Sequence, residues 1–334
     1  MAYDDGVDTI ITCDNGISAI DQIQYAKDLG LTVIVTDHHD VPFIEEDGVR
    51  TFLSSQADAI INPKQIECEY KFKSICGAGV AFKLMEALYE EIGMDKEECY
   101  KLIEFIAIAT VCDVVDLIDE NRIFVKNGLE MLNNSKNIGI NALKKACGLE
   151  DKEITAYHLG FVIGPCLNAS GRLDSAKKGL ELLLMEDDEE AEKLAQEIVD
   201  LNDARKNMTK EGVDRAINII DSTDINNDKI LVVYIPDIHE SLAGIVAGRV
   251  KEKYNKPTII LTKSEEGVKG SARSIEEYNM FEGLLACKEL LDKFGGHPMA
   301  VGLSLQEDKV DELRKALNNK CELTDEDLTR KIMI

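Results

Sequence analysis

The apolar positions at the start of the chain read strand, helix, strand. "DTIITCDNG" (8–16) is a short apolar run stopped by Asp-Asn-Gly, and "ISAIDQIQYAKDLG" (17–30) has helical spacing and ends on Gly30. "LTVIVTDHH" (31–39) is a second β-branched run. Two apolar runs joined by an amphipathic helix predict parallel strands with a right-handed crossover. "DAIINP" (58–63) offers a third strand, and helical spacing follows over 79–93, 97–117, 121–134 and on to about residue 185. Residues 188–221 form one long, charged stretch without Pro, which predicts a helix bridging two domains. A new alternation starts at "DKILVVYIP" (228–236). It continues through a helix over 240–254, strands at 257–262 and 267–274, a helix over 280–293 and "AVGLSL" (300–305). The expected class is α/β, in two domains.

Composition narrows the partners and the compartment. The chain has 334 residues, enough for about two domains. No run approaches transmembrane length, and no basic-then-apolar leader opens the chain, so no membrane partner is expected and the expected location is cytoplasmic. The nine cysteines are scattered, odd in number and without a C-x-x-C pair, which reads as reduced thiols rather than a disulfide framework or a zinc site. Cys13 and Cys112 lie in apolar runs and are expected to be small buried hydrophobes. The formal net charge of −25 argues against a broad basic face for nucleic acid. Any phosphate grip has to be local or helped by metal ions. The acidic run "MEDDEEAEKLAQE" (185–197) reads as a solvated helix start.

The chemistry-bearing residues gather at strand ends. Asp14 ends the first strand; Asp37, His38 and His39 end the second. Ligands in open α/β sheets bind beyond the carboxyl ends of the strands, and parallel neighbours lie about 5 Å apart, so these side chains can converge. Carboxylate and neutral imidazole suit a divalent ion such as Mn²⁺, and a ligating His normally leans on a carboxylate, for which Asp37 is placed. Asp14-Asn15-Gly16 would also make a good turn, a competing explanation for that Asp.

"TCDNGIS" (12–18), "VTDHH" (35–39) and "ATVCDVVDL" (109–117) resemble successive motifs of the DHH phosphoesterases. "GPCLNASGRLDSA" (164–176) is similar to a stretch of the RecJ branch of that family. "HESLAGIVAGRVKEKYNKPTIIL" (239–261), "GSARS" (270–274) and "GGHPMAVG" (295–302) resemble the associated C-terminal domain. The resemblance implies a parallel-sheet DHH domain over 1–187, a linker helix over 188–222 and a smaller α/β DHH-associated domain over 223–320. It also implies a 5′-to-3′ exonuclease specific for single-stranded DNA, serving DNA repair and recombination. Such an enzyme hydrolyses phosphodiesters with Mn²⁺ or Mg²⁺ in a cleft between the domains. Single-stranded-DNA-binding protein is its candidate protein partner.

Carried onto this sequence, the resemblance makes Asp14 a bridge between two ions, with His38 and Asp113 completing one metal site. His39 would stand by the scissile phosphate and Asp37 would orient His38. Asp113 is preferred to Asp116, which falls where the family carries Pro. Asn168, Arg172, Arg273, Gly295, Gly296 and His297 would line the nucleic-acid path, while His158 and His239 are expected to be structural.

Three departures stand out. The family's upstream Asp-x-Asp motif has no match: "YDDG" (3–6) lies too close to Asp14, since a parallel crossover takes a dozen or more residues. The expectation is a chain lacking its N-terminal strand and, after "LTDEDLTRKIMI" (323–334), a C-terminal region. Such a chain would bind one Mn²⁺ weakly and cleave DNA poorly or not at all. Cys166 stands where the branch commonly carries Arg, which would weaken phosphate contact. Two rival readings are a DHH phosphodiesterase acting on short oligonucleotides or cyclic dinucleotides, and a non-catalytic nucleic-acid-binding fragment.

Overall fold

The computed structural model describes residues 3–46, 49–265 and 267–330, so 1–2 and 331–334 of the expected terminal regions lie outside the described residues. The chain divides into two compact units, one comprising Met1–Asn168 with Gly179–Gln196, the other Ala169–Lys178 with Glu197–Ile334.

The first unit opens with β1 (Thr9–Cys13), α1 (Ile20–Asp28), β2 (Thr32–Thr36), β3 (Phe43–Glu46), β4 (Val49–Phe52) and β5 (Ala59–Ile61). β1, β2 and β5 make a parallel sheet with β2 in the middle; Cys13 pairs with Thr36, and Thr36 with Ile61. The crossover helix α1 buries Ile23 against Val33 and Val35, as its spacing predicts. β3 and β4 form an antiparallel hairpin that the sequence pattern does not signal.

Helices follow: α2 (Gly77–Glu91), α3 (Glu97–Tyr100), α4 (Ile103–Cys112), α5 (Asp119–Asn133), α6 (Ile138–Ala146) and α7 (Ala156–His158). After a π-helical turn over Leu159–Ile163 come α8 (Gly164–Leu173), α9 (Lys177–Leu183) and α10 (Asp188–Ser222). The single helix expected over 97–117 is broken into α3 and α4 and stops at Cys112. Ile75, Val80 and Phe82 pack with Ile106 and Phe124 to form a core of this unit.

The second unit contains β6 (Leu231–Tyr234), α11 (Ala243–Tyr254), β7 (Thr258–Ser264), β8 (Gly267–Arg273), α12 (Met280–Leu285), β9 (Lys293–His297), β10 (Ala300–Leu305) and α13 (Val310–Asn319). The strand order is β6-β7-β8-β10-β9, with β6 and β7 parallel and the other neighbours antiparallel. The helix expected over 280–293 stops at Leu285, and a strand that the sequence pattern does not signal begins at Lys293. Glycines at 295 and 296 disfavour a helix, and Phe294 gains more by packing on the core.

The run "ILVVYI" is apolar throughout because β6 is covered on both sides. Ile230 and Val232 meet Met280, Leu284, Leu313 and Leu317 on one face. Leu231 and Val233 meet Val246, Val250 and the α10 residues Ala216 and Ile220 on the other. Each such buried side chain contributes about 1.5–3 kcal/mol. Among the described residues, no helix is long and apolar enough to cross a membrane.

Candidate metal and nucleic-acid sites

Because Cys13 pairs with Thr36, Asp14 and Asp37 leave the sheet side by side at its carboxyl edge. Asp14 has a φ of 60°, a left-handed conformation that an Asp adopts at a cost of about 1 kcal/mol or more. The turn is held by the Thr12 hydroxyl, which donates to the Asn15 carbonyl at 2.5 Å. Asp113 arrives from elsewhere in the chain: it caps the C-terminus of the apolar helix α4, and Val114 then turns the chain with a φ of 60°.

These segments meet at one nitrogen. His38 Nε2 lies 3.0 Å from Asp14 Oδ1 and 3.4 Å from Asp113 Oδ2. The His38 side chain is only 10 % exposed, yet its Nε2 has no hydrogen-bond partner among the described residues. Asp14, His38 and His39 each offer a ligand atom, all within 4.8 Å of one another. A buried imidazole nitrogen facing two carboxylate oxygens without bonding either is the donor set a divalent cation fits. Asp116 contributes its carbonyl, which accepts from Asn121 Nδ2 at 2.9 Å.

Asp37 does something other than expected. Its Oδ1 lies 2.7 Å from His39 Nδ1, so the carboxylate orients the ring of His39, not that of His38. It reaches His38 through the backbone: Oδ1 accepts the His38 N–H at 2.8 Å and the His39 N–H at 3.2 Å, while Oδ2 accepts the Ile17 N–H at 2.8 Å. The reason is reach. The Asp37 side chain folds back over the amides that follow it, and only the ring two residues on comes within bonding distance. Burial raises the Asp37 carboxyl pKa, but the Ile17 amide, the His39 ring and the two histidine amides outweigh it and hold it below the ordinary carboxylate value.

The opposite holds at Asp113. Burial and the charge of Asp14 lift its pKa, against the opposing pull of His38, His39 and Lys64. Two carboxylates crowded at one imidazole repel each other, and a bound cation would remove that penalty.

Two supporting residues lie outside the motifs quoted above. A Cβ placed on Gly77, the first residue of α2, would come within 2.3 Å of Asp14 Oδ1, so only glycine lets the helix start approach this carboxylate. Buried Asn62, just beyond β5, donates from Nδ2 to the His39 carbonyl at 2.9 Å and anchors the DHH loop. Asn62 stands at the carboxyl end of the third strand, where the rule that finds Asp14 and Asp37 would also find it. Cys13 is exposed rather than buried, because β1 pairs only with β2 among the described residues. Cys112 is partly buried.

In the second unit, Arg172 and Arg273 come together. Arg172 Nη1 donates to the Ser241 carbonyl at 3.1 Å and Arg273 Nη1 to its neighbouring Ala272 carbonyl at 2.8 Å. Burial, and then the positive charge of Arg172, draw the Arg273 pKa down. A Cβ on Gly244 would stand 2.8 Å from Arg273 Nη2, so the start of α11 leaves room for the guanidinium. Ala300 pairs with Arg273 on one side and His297 on the other, which sets those two side chains on one face about 10 Å apart. Gly295 and Gly296 lie in β9. Asn168 is exposed on α8 in the first unit. His158 and His239 both act at helix starts: His158 Nδ1 accepts the Thr155 N–H and His239 Nδ1 the Ser241 N–H.

Residues 3–110 match the DHH family, N-terminal domain, and residues 227–323 match the DHHA1 domain. The single-stranded-DNA-specific exonuclease RecJ of Bacillus subtilis is 40 % identical over 98 % of this chain and 40 % of that protein. Its namesake from Escherichia coli is 37 % identical over 92 % of this chain and 55 % of that protein. The chain thus spans about half the length, or less, of these relatives. Among solved structures, RecJ from Thermus thermophilus in complex with Mn²⁺ superposes with a TM-score of 0.79 at 29 % identity, covering 93 % of this chain and 44 % of that one. A manganese-bound exonuclease RecJ gives a TM-score of 0.78 at 29 % identity, covering 95 % and 77 %. By sequence and by fold, residues 3–110 match the DHH family N-terminal domain, and the chain is similar to RecJ along almost its whole length.

Proposed function

We propose that the chain is the core of a metal-dependent exonuclease that degrades single-stranded DNA from its 5′ end. The observation that carries this reading is the unpartnered Nε2 of His38 between Asp14 and Asp113. The similarity to single-stranded-DNA-specific exonucleases, and to RecJ structures in complex with Mn²⁺ and Mg²⁺, supports the substrate and the ion. Asp14, His38 and Asp113 would hold Mn²⁺ or Mg²⁺, with Asp14 as the bridge where two ions bind. A divalent ion so held acidifies a water and neutralises phosphate charge.

The remaining steps belong to side chains. An ionised Asp37 makes Nδ1 the hydrogen-bearing nitrogen of His39 and turns Nε2 outward, where the protonated ring can donate to a phosphate oxygen. Arg172 and Arg273 supply guanidinium donors to the phosphates of the strand, and His297 stands on the same sheet face as Arg273. Gly295 and Gly296 complete the proposed path of the second unit, and Asn168 is the proposed strand contact of the first. This answers the charge argument: a chain of net charge −25 can still grip DNA through a few local cations. The assignment of catalysis to 1–187 and of strand binding to 223–320, joined by 188–222, is part of the same proposal. So are a cytoplasmic location, favoured by the scattered cysteines, and single-stranded-DNA-binding protein as a partner.

The test uses the 334-residue chain with Mn²⁺ and end-labelled DNA. Expected is slow release of nucleotides from the 5′ end of single strands, with duplex and dinucleotides poorer substrates still, and loss of that release in Asp113→Ala. Undiminished cleavage by Asp113→Ala would remove the site. Preference for dinucleotides would favour the short-oligonucleotide phosphodiesterase, and DNA binding without cleavage the non-catalytic reading.

A further inference from the structure

Cys166, the residue that departs from the family pattern inside "GPCLNASGRL", has a thiol neighbour. Its Sγ lies 3.8 Å from the Sγ of Cys147, van der Waals contact between two sulfurs that are 19 residues apart in sequence. Cys147 caps the C-terminus of α6, and Cys166 is buried in the first half of α8. Both belong to the first unit, and Asn168 follows Cys166 by two positions on the same helix.

We propose that Cys147 and Cys166 form a reversible disulfide that ties the end of α6 to α8, making this pair an oxidation site of the first unit. The inference rests on the sulfur contact and not on the nuclease reading. The two thiols differ in access in the order the reaction needs: Cys147 is partly exposed, while Cys166 is 2 % exposed. A small disulfide such as oxidised glutathione supplies the oxidising equivalents. The Cys147 thiolate attacks one of its sulfurs and expels one glutathione thiolate, leaving a mixed disulfide on Cys147. The Cys166 thiolate then attacks Cys147 Sγ and expels the second glutathione. The two protons lost by the cysteines end on the two glutathione molecules, so two protein thiols are oxidised and one small disulfide is reduced. Closing the loop raises stability by restricting the unfolded chain.

The chain is equilibrated with oxidised glutathione, blocked with an alkylating agent, digested without reductant and mapped by mass spectrometry. The expected result is a peptide pair joined through Cys147 and Cys166, formed in the folded chain, lost on unfolding in urea before oxidation and reversed by dithiothreitol. The oxidised chain should melt several degrees above the reduced one, a difference absent from Cys147→Ser. Cys166→Ala should leave glutathione attached at Cys147. Glutathione retained on Cys147 in the unmutated chain, joined peptides from other cysteines only, or no joined peptide at all would each overturn the proposal.

Discussion

Gly77 makes room for Asp14: a methyl carbon on Gly77 would sit 2.3 Å from the Asp14 carboxylate oxygen and 2.6 Å from its Cα. The start of α2 and the strained turn after β1 are therefore built against each other. Gly77→Ala is expected to displace Asp14 and weaken Mn²⁺ binding about tenfold or more, on the scale of lost supporting contacts in metal sites. Calorimetric titration of Mn²⁺, with a thermal melt to show that the chain remains folded, checks this. Unchanged affinity would mean that Asp14 has slack to move or is no ligand.

Asp37 accepts four hydrogen bonds, and asparagine cannot replace it. In either orientation the amide of an asparagine side chain there would point an N–H at a donor, either the Ile17 amide or the His38 and His39 group. Asp37→Asn should cost about 1–3 kcal/mol in urea unfolding at neutral pH. The pH dependence has a definite sign. The folded pKa lies below the unfolded one, so the stabilisation is present above about pH 3.9 and is lost as pH falls through the folded value. The variant should lack that acid-side loss.

Glu104 predicts the reverse slope. It is buried on α4, and burial raises its pKa despite the Ser135 hydrogen bond and the charge of Lys144. Between about pH 4.3 and its raised folded value the native state binds the extra proton, so stability falls as pH rises through that window. Glu104→Gln should flatten this part of the curve. Denaturant midpoints measured from about pH 4 to 8 on both proteins decide it; parallel curves would show that Glu104 titrates normally.

Arg172 and Arg273 have no carboxylate within ion-pair distance among the described residues and lie close enough for one to depress the other's pKa. On the proposed DNA path, Arg273→Ala should weaken binding of oligo-dT and lower the slope of log affinity against log salt by about 0.7. Anisotropy titrations at several salt concentrations test it. An equal loss at every salt concentration would mean that the change is structural.

Much of this is legible in one dimension. The apolar runs and the helical spacing place β1, α1, β2, β5 and α10; α1, β2 and α10 bury residues that this pattern marks, while β1 and β5 are only partly covered. The β3–β4 hairpin is invisible there because Phe43 and Phe52 stay exposed and leave no alternation to read. The β9 strand goes unread because its glycines carry no apolar period, and its pairing with β10 supplies the hydrogen bonds that make it a strand.

The sequence by itself determined which residues are candidates to bind an ion or a phosphate, because strand ends and motif order are properties of the chain. Tertiary structure alone decided how they are used. It turned the Asp37 carboxylate onto the ring of His39, brought Asp113 from the end of a distant helix to the bare nitrogen of His38, and set Cys147 beside Cys166. Hydrogen bonds and ion coordination depend on distances of about 3 Å or less. Packing between remote segments sets those distances, and spacing along the chain does not encode them.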